Sequence, residues 1–221
     1  MKIIAIANPA GGVGKTTLAH AIAVAASEFG KKTLLIDLDP GSALTFLLGF
    51  ENPRVTIADY LSGSTLVSEN LTATSERFDF IPADSRLTSN LDEGSLVLLL
   101  QNLPKDYDLV VLDLAPSLTQ PLKLALTVAD HIFTPVNNSL HSLRGLLQLR
   151  ALTNIPVTSI ALGEVNVDEL APVLDVTLAR SSDVAEFSSE TVSILTSAKN
   201  SEVAESYRSA TYSILELLGL E

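Results

Sequence analysis

The sequence predicts an α/β fold, a doubly wound, mainly parallel sheet with helices on both faces, and three observations carry that prediction. Apolar runs of strand length recur at Ile3–Ala7, Thr33–Ile36, Leu109–Leu112, Ile132–Val136 and Val157–Leu162. Ile3–Ala7, Leu34–Ile36 and Leu109–Leu112 are continuous rather than alternating, as suits strands covered on both sides. Helical patterns stand between them, which gives the strand–helix alternation of parallel sheets. A glycine-rich turn and two acidic segments follow directly on strand ends, where open α/β sheets bind their ligands. With 221 residues, 47% of them hydrophobic, the chain suits one domain, residues 1–221.

The first strand leads into Asn8-Pro9-Ala10-Gly11-Gly12-Val13-Gly14-Lys15-Thr16-Thr17. The helix that follows places Leu18, Ala21, Ile22, Ala25 and Phe29 on one face, and Gly30 ends it. Strand, glycine-rich turn and helix form the context of a phosphate-binding loop. Glycines let successive N–H groups converge on an anion, and the helix N-terminus adds partial positive charge. Lys15 is placed to neutralise β- and γ-phosphates, and the Thr16 hydroxyl to ligate Mg²⁺.

The second strand runs into Asp37-Leu38-Asp39-Pro40-Gly41 before a helix over 42–49. By position alone the two acids serve a ligand at the sheet edge or cap that helix. Their distance from Lys15 also fits the ribose-binding acid of a dinucleotide site, which Lys15-Thr16 argues against. Residues 50–106 say less. Thr56–Leu61 reads as a short helix, 62–75 as surface loop and edge strand, and Phe78–Ile81 as a strand. Ser95–Leu103 is apolar nearly all round and predicts a buried helix. Tyr107–Asp113 is four apolar residues delivering a carboxylate, Asp113, to the strand's end, as a Mg²⁺-holding strand does.

Beyond it, Ser139–Leu152 reads as an amphipathic helix and Val173–Leu178 as a last strand. Glu202–Leu218 closes the chain as a helix with Val203, Tyr207, Ala210, Ile214 and Leu217 or Leu218 on its buried stripe. His20, His131 and His141 show no ligand spacing.

The run Gly11–Thr17 resembles the deviant phosphate loop K-G-G-x-G-K-T-T of the ParA/MinD family of ATPases. Gly11, Gly12, Val13, Gly14, Lys15, Thr16 and Thr17 match it, and Ala10 stands where the family has its signature lysine. Asp37–Gly41 resembles the family's D-x-D-P-Q switch segment, with Gly41 for Gln, and Tyr107–Leu118 resembles its Y-D-x-x-x-x-D-x-x-P-S-L. Val176–Ser181 resembles an adenine-holding v-I-P-R-x loop with Ala179 for Pro, which suggests Arg180 as a nucleotide contact. The resemblance extends over nearly the whole chain, with a deletion near residue 166.

The resemblance implies the following roles. Asp39 orients the attacking water beside Lys15, Asp37 supports the loop or Mg²⁺, and Asp113 holds Mg²⁺. Pro116-Ser117 starts the second switch helix. The chain would bind ATP and Mg²⁺, form an ATP-dependent homodimer, and hydrolyse ATP slowly to partition or position a plasmid, chromosome region or protein assembly. A ParB-like or analogous adaptor would stimulate it, and non-specific DNA is a possible further partner. Loss of the signature lysine is shared with the carboxysome-positioning McdA type. Two other classes stay open: an ATP-binding module without turnover, and a metabolic phosphoryl-transfer enzyme similar to dethiobiotin synthetase.

Composition narrows the rest. The chain has no cysteine, which excludes disulfides and thiolate metal or Fe–S sites and argues against the Cys-bearing relatives of this superfamily, and a cytoplasmic location is expected. The net charge is −12, and only Arg180, Lys199 and Arg208 are basic in residues 151–221. Broad binding to nucleic acid or to an anionic membrane is disfavoured. No apolar run approaches the roughly 18 residues of a membrane span, and the acidic ending Leu215–Glu221 is unlike a basic membrane helix.

Overall fold

The structure is a computed structural model that describes residues 1–64, 71–87, 91–103, 106–165, 167, 169–179 and 191–221. Arg180 and the centre of the predicted deletion, Asn166, lie outside the described residues. The strands are β1 (Lys2–Ile6), β2 (Thr33–Leu38), β3 (Thr72–Ala73), β4 (Asp79–Ile81), β5 (Leu109–Leu114), β6 (His131–Val136), β7 (Val157–Leu162) and β8 (Val173–Leu178). They form one sheet in the order β3-β4-β2-β5-β1-β6-β7-β8, parallel except for the edge strand β3. The helices are α1 (Lys15–Glu28), α2 (Ala43–Leu47), α3 (Ile57–Leu61), α4 (Ser95–Gln101), α5 (Gln120–Val128), α6 (Leu140–Leu152), α7 (Ile194–Ser197) and α8 (Glu202–Leu218).

Alternation along the strands divides the core in two. Ile4, Ile6, Leu35, Leu109, Val111 and Phe133 face the layer that contains α1, α7 and α8. Ala5, Leu34, Ile36, Val110, Leu112 and Ile132 face the layer of α3, α4, α5 and α6. Helices on both faces cover the central strands completely, which is why β2 and β5 are buried at every residue. β1 lies between β5 and β6, so its C-terminal end is the point where the connections diverge to either side. A crevice at that point is where such sheets take ligands.

Three elements differ from the sequence expectation. Residues Leu18–Ala26 of α1 are all buried, while Phe29 is 40% exposed. Five alanines on α1 let β5 on one side and α8 on the other close around the whole helix. α4 is not buried all round: Leu98 is 58% exposed, since the sheet covers only one side of this outer-layer helix. The helix after Pro116-Ser117 begins only at Gln120, with Thr119 extended at its N-cap and Pro121 in the first turn. In α8 the buried stripe ends on Leu218, with Leu217 exposed.

One buried polar contact braces α1 against the far end of the chain. His20 Nε2 lies 2.6 Å from Glu76 Oε2, with side chains 2% and 5% exposed. The Ser193 amide donates to Glu76 Oε1 at 2.9 Å, and the Thr196 hydroxyl donates to the same oxygen. Burial by itself would raise the Glu76 carboxyl. The His20 contact and the Thr196 and Ser193 donors outweigh it and hold the group below its ordinary value. A depressed carboxylate stabilises the fold above its unfolded pKa, and that contribution is lost as pH falls through the folded value. Glu76→Ala leaves three donors without their acceptor, and a loss of about 3 kcal/mol is expected. Urea titrations at neutral pH check the loss, and the difference between parent and variant should shrink on acidification below the ordinary glutamate range.

Candidate nucleotide site

Residues 7–14 leave the C-terminal end of β1 and turn into α1. Gly12 (φ 68°) and Gly14 (φ 78°) take left-handed backbone conformations that strain any residue with a Cβ. Gly14 is the N-cap of α1, so no side chain caps the helix, and its first turn carries no acid. The amides of that turn are therefore available to an anion. Lys15 is 6% exposed, and its Nζ donates to the carbonyl of Ala10 at 2.8 Å, folding the side chain back along the loop. Burial lowers the Lys15 ammonium from its ordinary value, while Asp113 and Asp39 pull it up.

Both strand-end acids sit under the start of α1. Asp37 follows Leu35 by two residues and Asp113 follows Val111, so both carboxylates lie on the α1 face of the sheet. They are also direct partners in register between β2 and β5, and both are fully buried.

Their environments differ. Asp37 Oδ1 accepts the Asp39 amide at 2.9 Å, and Oδ2 accepts the Thr45 amide at 3.0 Å and the Thr45 hydroxyl at 2.7 Å. The same hydroxyl accepts the Ala83 amide at 2.8 Å, tying β2, α2 and the end of β4 together. Burial pushes Asp37 up to about 6 against these hydrogen bonds. Neither Asp113 oxygen meets hydrogen-bond geometry with any described residue. Burial and then the neighbouring Asp37 raise its pKa well above the carboxylate range, opposed by the Thr16 hydroxyl and Lys15.

A buried carboxylate that only the Thr16 hydroxyl and the Lys15 charge offset, beside a second carboxylate, is costly unless a cation sits with it. Thr16 supplies a hydroxyl in the same place, so the residues fit a hard, oxygen-seeking divalent ion. Among the described residues, no cluster of three His, Cys, Asp or Glu side chains could hold a metal alone. A metal here would thus depend on phosphate oxygens or water to complete its shell.

Asp39 is half-buried. Its Oδ1 accepts the Gly41 amide at 2.7 Å, and its Oδ2 has no described partner. The structure thus brings together the loop, Lys15, Thr16, Asp37, Asp39 and Asp113. Two residues without a sequence-level assignment belong with them. Thr45 locks Asp37. Asn8, 1% exposed, accepts the Ala10 amide at 3.0 Å through Oδ1 and donates from Nδ2 to the Pro135 carbonyl at 3.0 Å. An isolated polar residue at the end of an apolar strand was the available signal for Asn8; nothing in the sequence marked Thr45.

Of the basic residues in the last third, Arg208 is committed. Its guanidinium takes Glu28 in two contacts, at 2.7 and 3.3 Å, and two backbone carbonyls. Lys199 is exposed. No helix among the described residues is long and apolar enough to cross a membrane.

The sequence matches the AAA domain family over residues 1–159. It is 35% identical over 159 residues to the sporulation initiation inhibitor protein Soj of Bacillus subtilis, covering 67% of this chain and 63% of that protein. It is 35% identical over 164 residues to the chromosome partitioning protein ParA of Caulobacter vibrioides, covering 67% and 61%. The matches thus span less than two thirds of these relatives' length. In three dimensions the chain resembles cobyrinic acid a,c-diamide synthase of Mycobacterium smegmatis, solved with an ATP analog and magnesium. That likeness has a TM-score of 0.78 and 26% identity, over 99% of this chain and 95% of that one.

Proposed function

The chain belongs to the ParA/MinD family of ATPases, and from that premise we propose that it binds ATP with Mg²⁺, dimerises on ATP, and hydrolyses it slowly to partition or position a cargo. The observation that carries this reading is the pair of buried, register-matched carboxylates beneath an uncapped glycine-rich loop, with the Thr16 hydroxyl and Lys15 beside Asp113. The loop amides and Lys15 bind and orient the phosphates. Thr16 and Asp113 would hold Mg²⁺, while Asp37, its oxygens spent on Asp39 and Thr45, keeps the switch segment in place. Bound there, Mg²⁺ would neutralise charge developing on the phosphate oxygens. Asp39 holds the attacking water in line through its free oxygen. The cargo is a plasmid, a chromosome region or a protein assembly, and an adaptor of ParB-like or analogous kind stimulates turnover in the cytoplasm.

A metabolic phosphoryl-transfer enzyme is the second reading, favoured by the 26% identity to the diamide synthase. ATP turnover by the purified chain separates the two. Basal hydrolysis without any small-molecule acceptor, with an ATP-dependent doubling of mass in light scattering, supports the positioning ATPase. Turnover that requires a small carboxylic acid supports the enzyme. Gel shifts on unrelated duplexes with and without ATP then decide whether DNA or a protein scaffold is the track. With Arg208 bound to Glu28, a shift should be weak and fall steeply with salt.

Ala10 brings no charge to the phosphates, so either turnover is very slow or another cation acts across the dimer. We assign that role to Lys123, exposed on the outer side of α5 beyond buried Leu122 and Leu124. Lys123→Ala should bind ATP as a monomer with parental affinity yet fail to dimerise on a sizing column. A variant that dimerises and turns over ATP like the parent removes Lys123 from the mechanism.

A further inference from the structure

α6 carries a glycine, Gly145, in its interior, where glycine costs about 1 kcal/mol relative to alanine and so points to a packing reason. A Cβ on Gly145 would stand 2.0 Å from Asn8 Oδ1, 3.2 Å from Asn8 Cγ and 3.2 Å from the Ala10 amide nitrogen. The first distance is far inside contact. Asn8 cannot swing clear, because its amide is held at both ends. Oδ1 accepts from Ala10, and Nδ2 donates to the Pro135 carbonyl at the end of β6 and to the Ser142 carbonyl on α6 at 3.4 Å.

Ser142 lies one turn before Gly145 and is itself fully buried, its hydroxyl accepting the Asn137 amide at 3.1 Å. Ala10, whose amide Asn8 fixes, is the residue whose carbonyl receives the Lys15 ammonium. An unbroken series of contacts therefore runs from the inner face of α6 through Asn8 and Ala10 to Lys15.

We propose that α6 is a positioning element of the phosphate loop, with Gly145 and Asn8 as the positioning residues that set where the Lys15 ammonium stands for the nucleotide. The absent side chain at 145 lets α6 approach until it touches the loop itself. A methyl group there displaces Asn8, and with it Ala10 and the carbonyl that seats Lys15. This inference rests on the proposal that the loop binds ATP.

A double-mutant cycle on the full chain tests it, with ATP–Mg²⁺ affinity read by calorimetry. Gly145→Ala and Asn8→Ala should each bind at least about tenfold more weakly than the parent. The double variant should bind within about threefold of Asn8→Ala alone, because the added methyl no longer meets Oδ1 and the 3.2 Å approach to Ala10 relaxes with a small shift. A glycine that served only helix packing would lower the unfolding temperature without this coupling in affinity.

Parental affinity in Gly145→Ala, or losses that multiply in the double variant, overturns the inference while leaving ATP binding intact. A parent that does not bind ATP–Mg²⁺ overturns the loop assignment itself and this inference with it. If Gly145→Ala alone does not fold, recovery of a folded chain on adding Asn8→Ala supports the contact, and failure to recover overturns it.

Discussion

Lys15→Ala is expected to abolish ATP binding, a fall of at least about a hundredfold in affinity or about 2.7 kcal/mol. The loop has no other cation: Ala10 stands where the resembling motif has a lysine, and no other side chain in residues 8–17 carries positive charge. The loss should exceed that of one surface charge, because Lys15 works in a buried setting where its charge is poorly screened. Calorimetry with ATP–Mg²⁺ measures it. The folded state should survive, since removing a buried ammonium also removes its desolvation cost, and circular dichroism checks that. Unchanged affinity in a folded variant would remove the loop from the mechanism.

Asp39→Ala is expected to do the opposite. Binding stays within about threefold of the parent, while hydrolysis falls by about 10²- to 10⁴-fold, the range of a positioned acid–base group. Among the described residues the carboxylate makes no hydrogen bond to the phosphate loop and acts on Lys15 through charge alone. Its Oδ1 accepts the Gly41 amide within the turn, and its Oδ2 has no hydrogen-bond partner among the described residues. Blocked turnover should accumulate the ATP-bound dimer, seen as a doubled mass that persists for hours after mixing. Asp39→Asn separates the parts of the effect: it can keep the Gly41 contact but has no charge with which to take a proton. If either variant turns over ATP normally, Asp39 is a turn-forming residue and the water is oriented by another group.

Much of this site is legible in the sequence because its parts are local. A glycine that must take a left-handed conformation, a lysine at the first helical position and an acid at the end of a buried strand each answer to the backbone within a few residues. Gly12, Gly14, Lys15 and Asp113 are recognisable for that reason, as is the parallel sheet, whose doubly covered strands are mostly apolar. The departures from sequence expectation concern how many neighbours a helix has. α1 reads as one-sided because small alanines count weakly in a periodicity, although small size is what allows burial on every side. α4 reads as buried because apolar composition does not reveal how many neighbours a helix has.

The division of labour between Asp37 and Asp113 is different in kind. The two look alike in the sequence, each an acid closing an apolar strand. Only the parallel register of β2 against β5 sets them side by side, and the Asp39 amide with Thr45, eight residues on, engages both oxygens of Asp37 and neither oxygen of Asp113. The sequence by itself determined the fold class, the phosphate loop and the acids at the sheet edge, because these depend on period, backbone conformation and strand ends. Tertiary structure decided which acid is tied to Thr45, that Arg208 is spent on Glu28, and that Gly145 meets Asn8 across 137 residues of chain. Such contacts depend on distances between elements remote in sequence, and no local pattern encodes them.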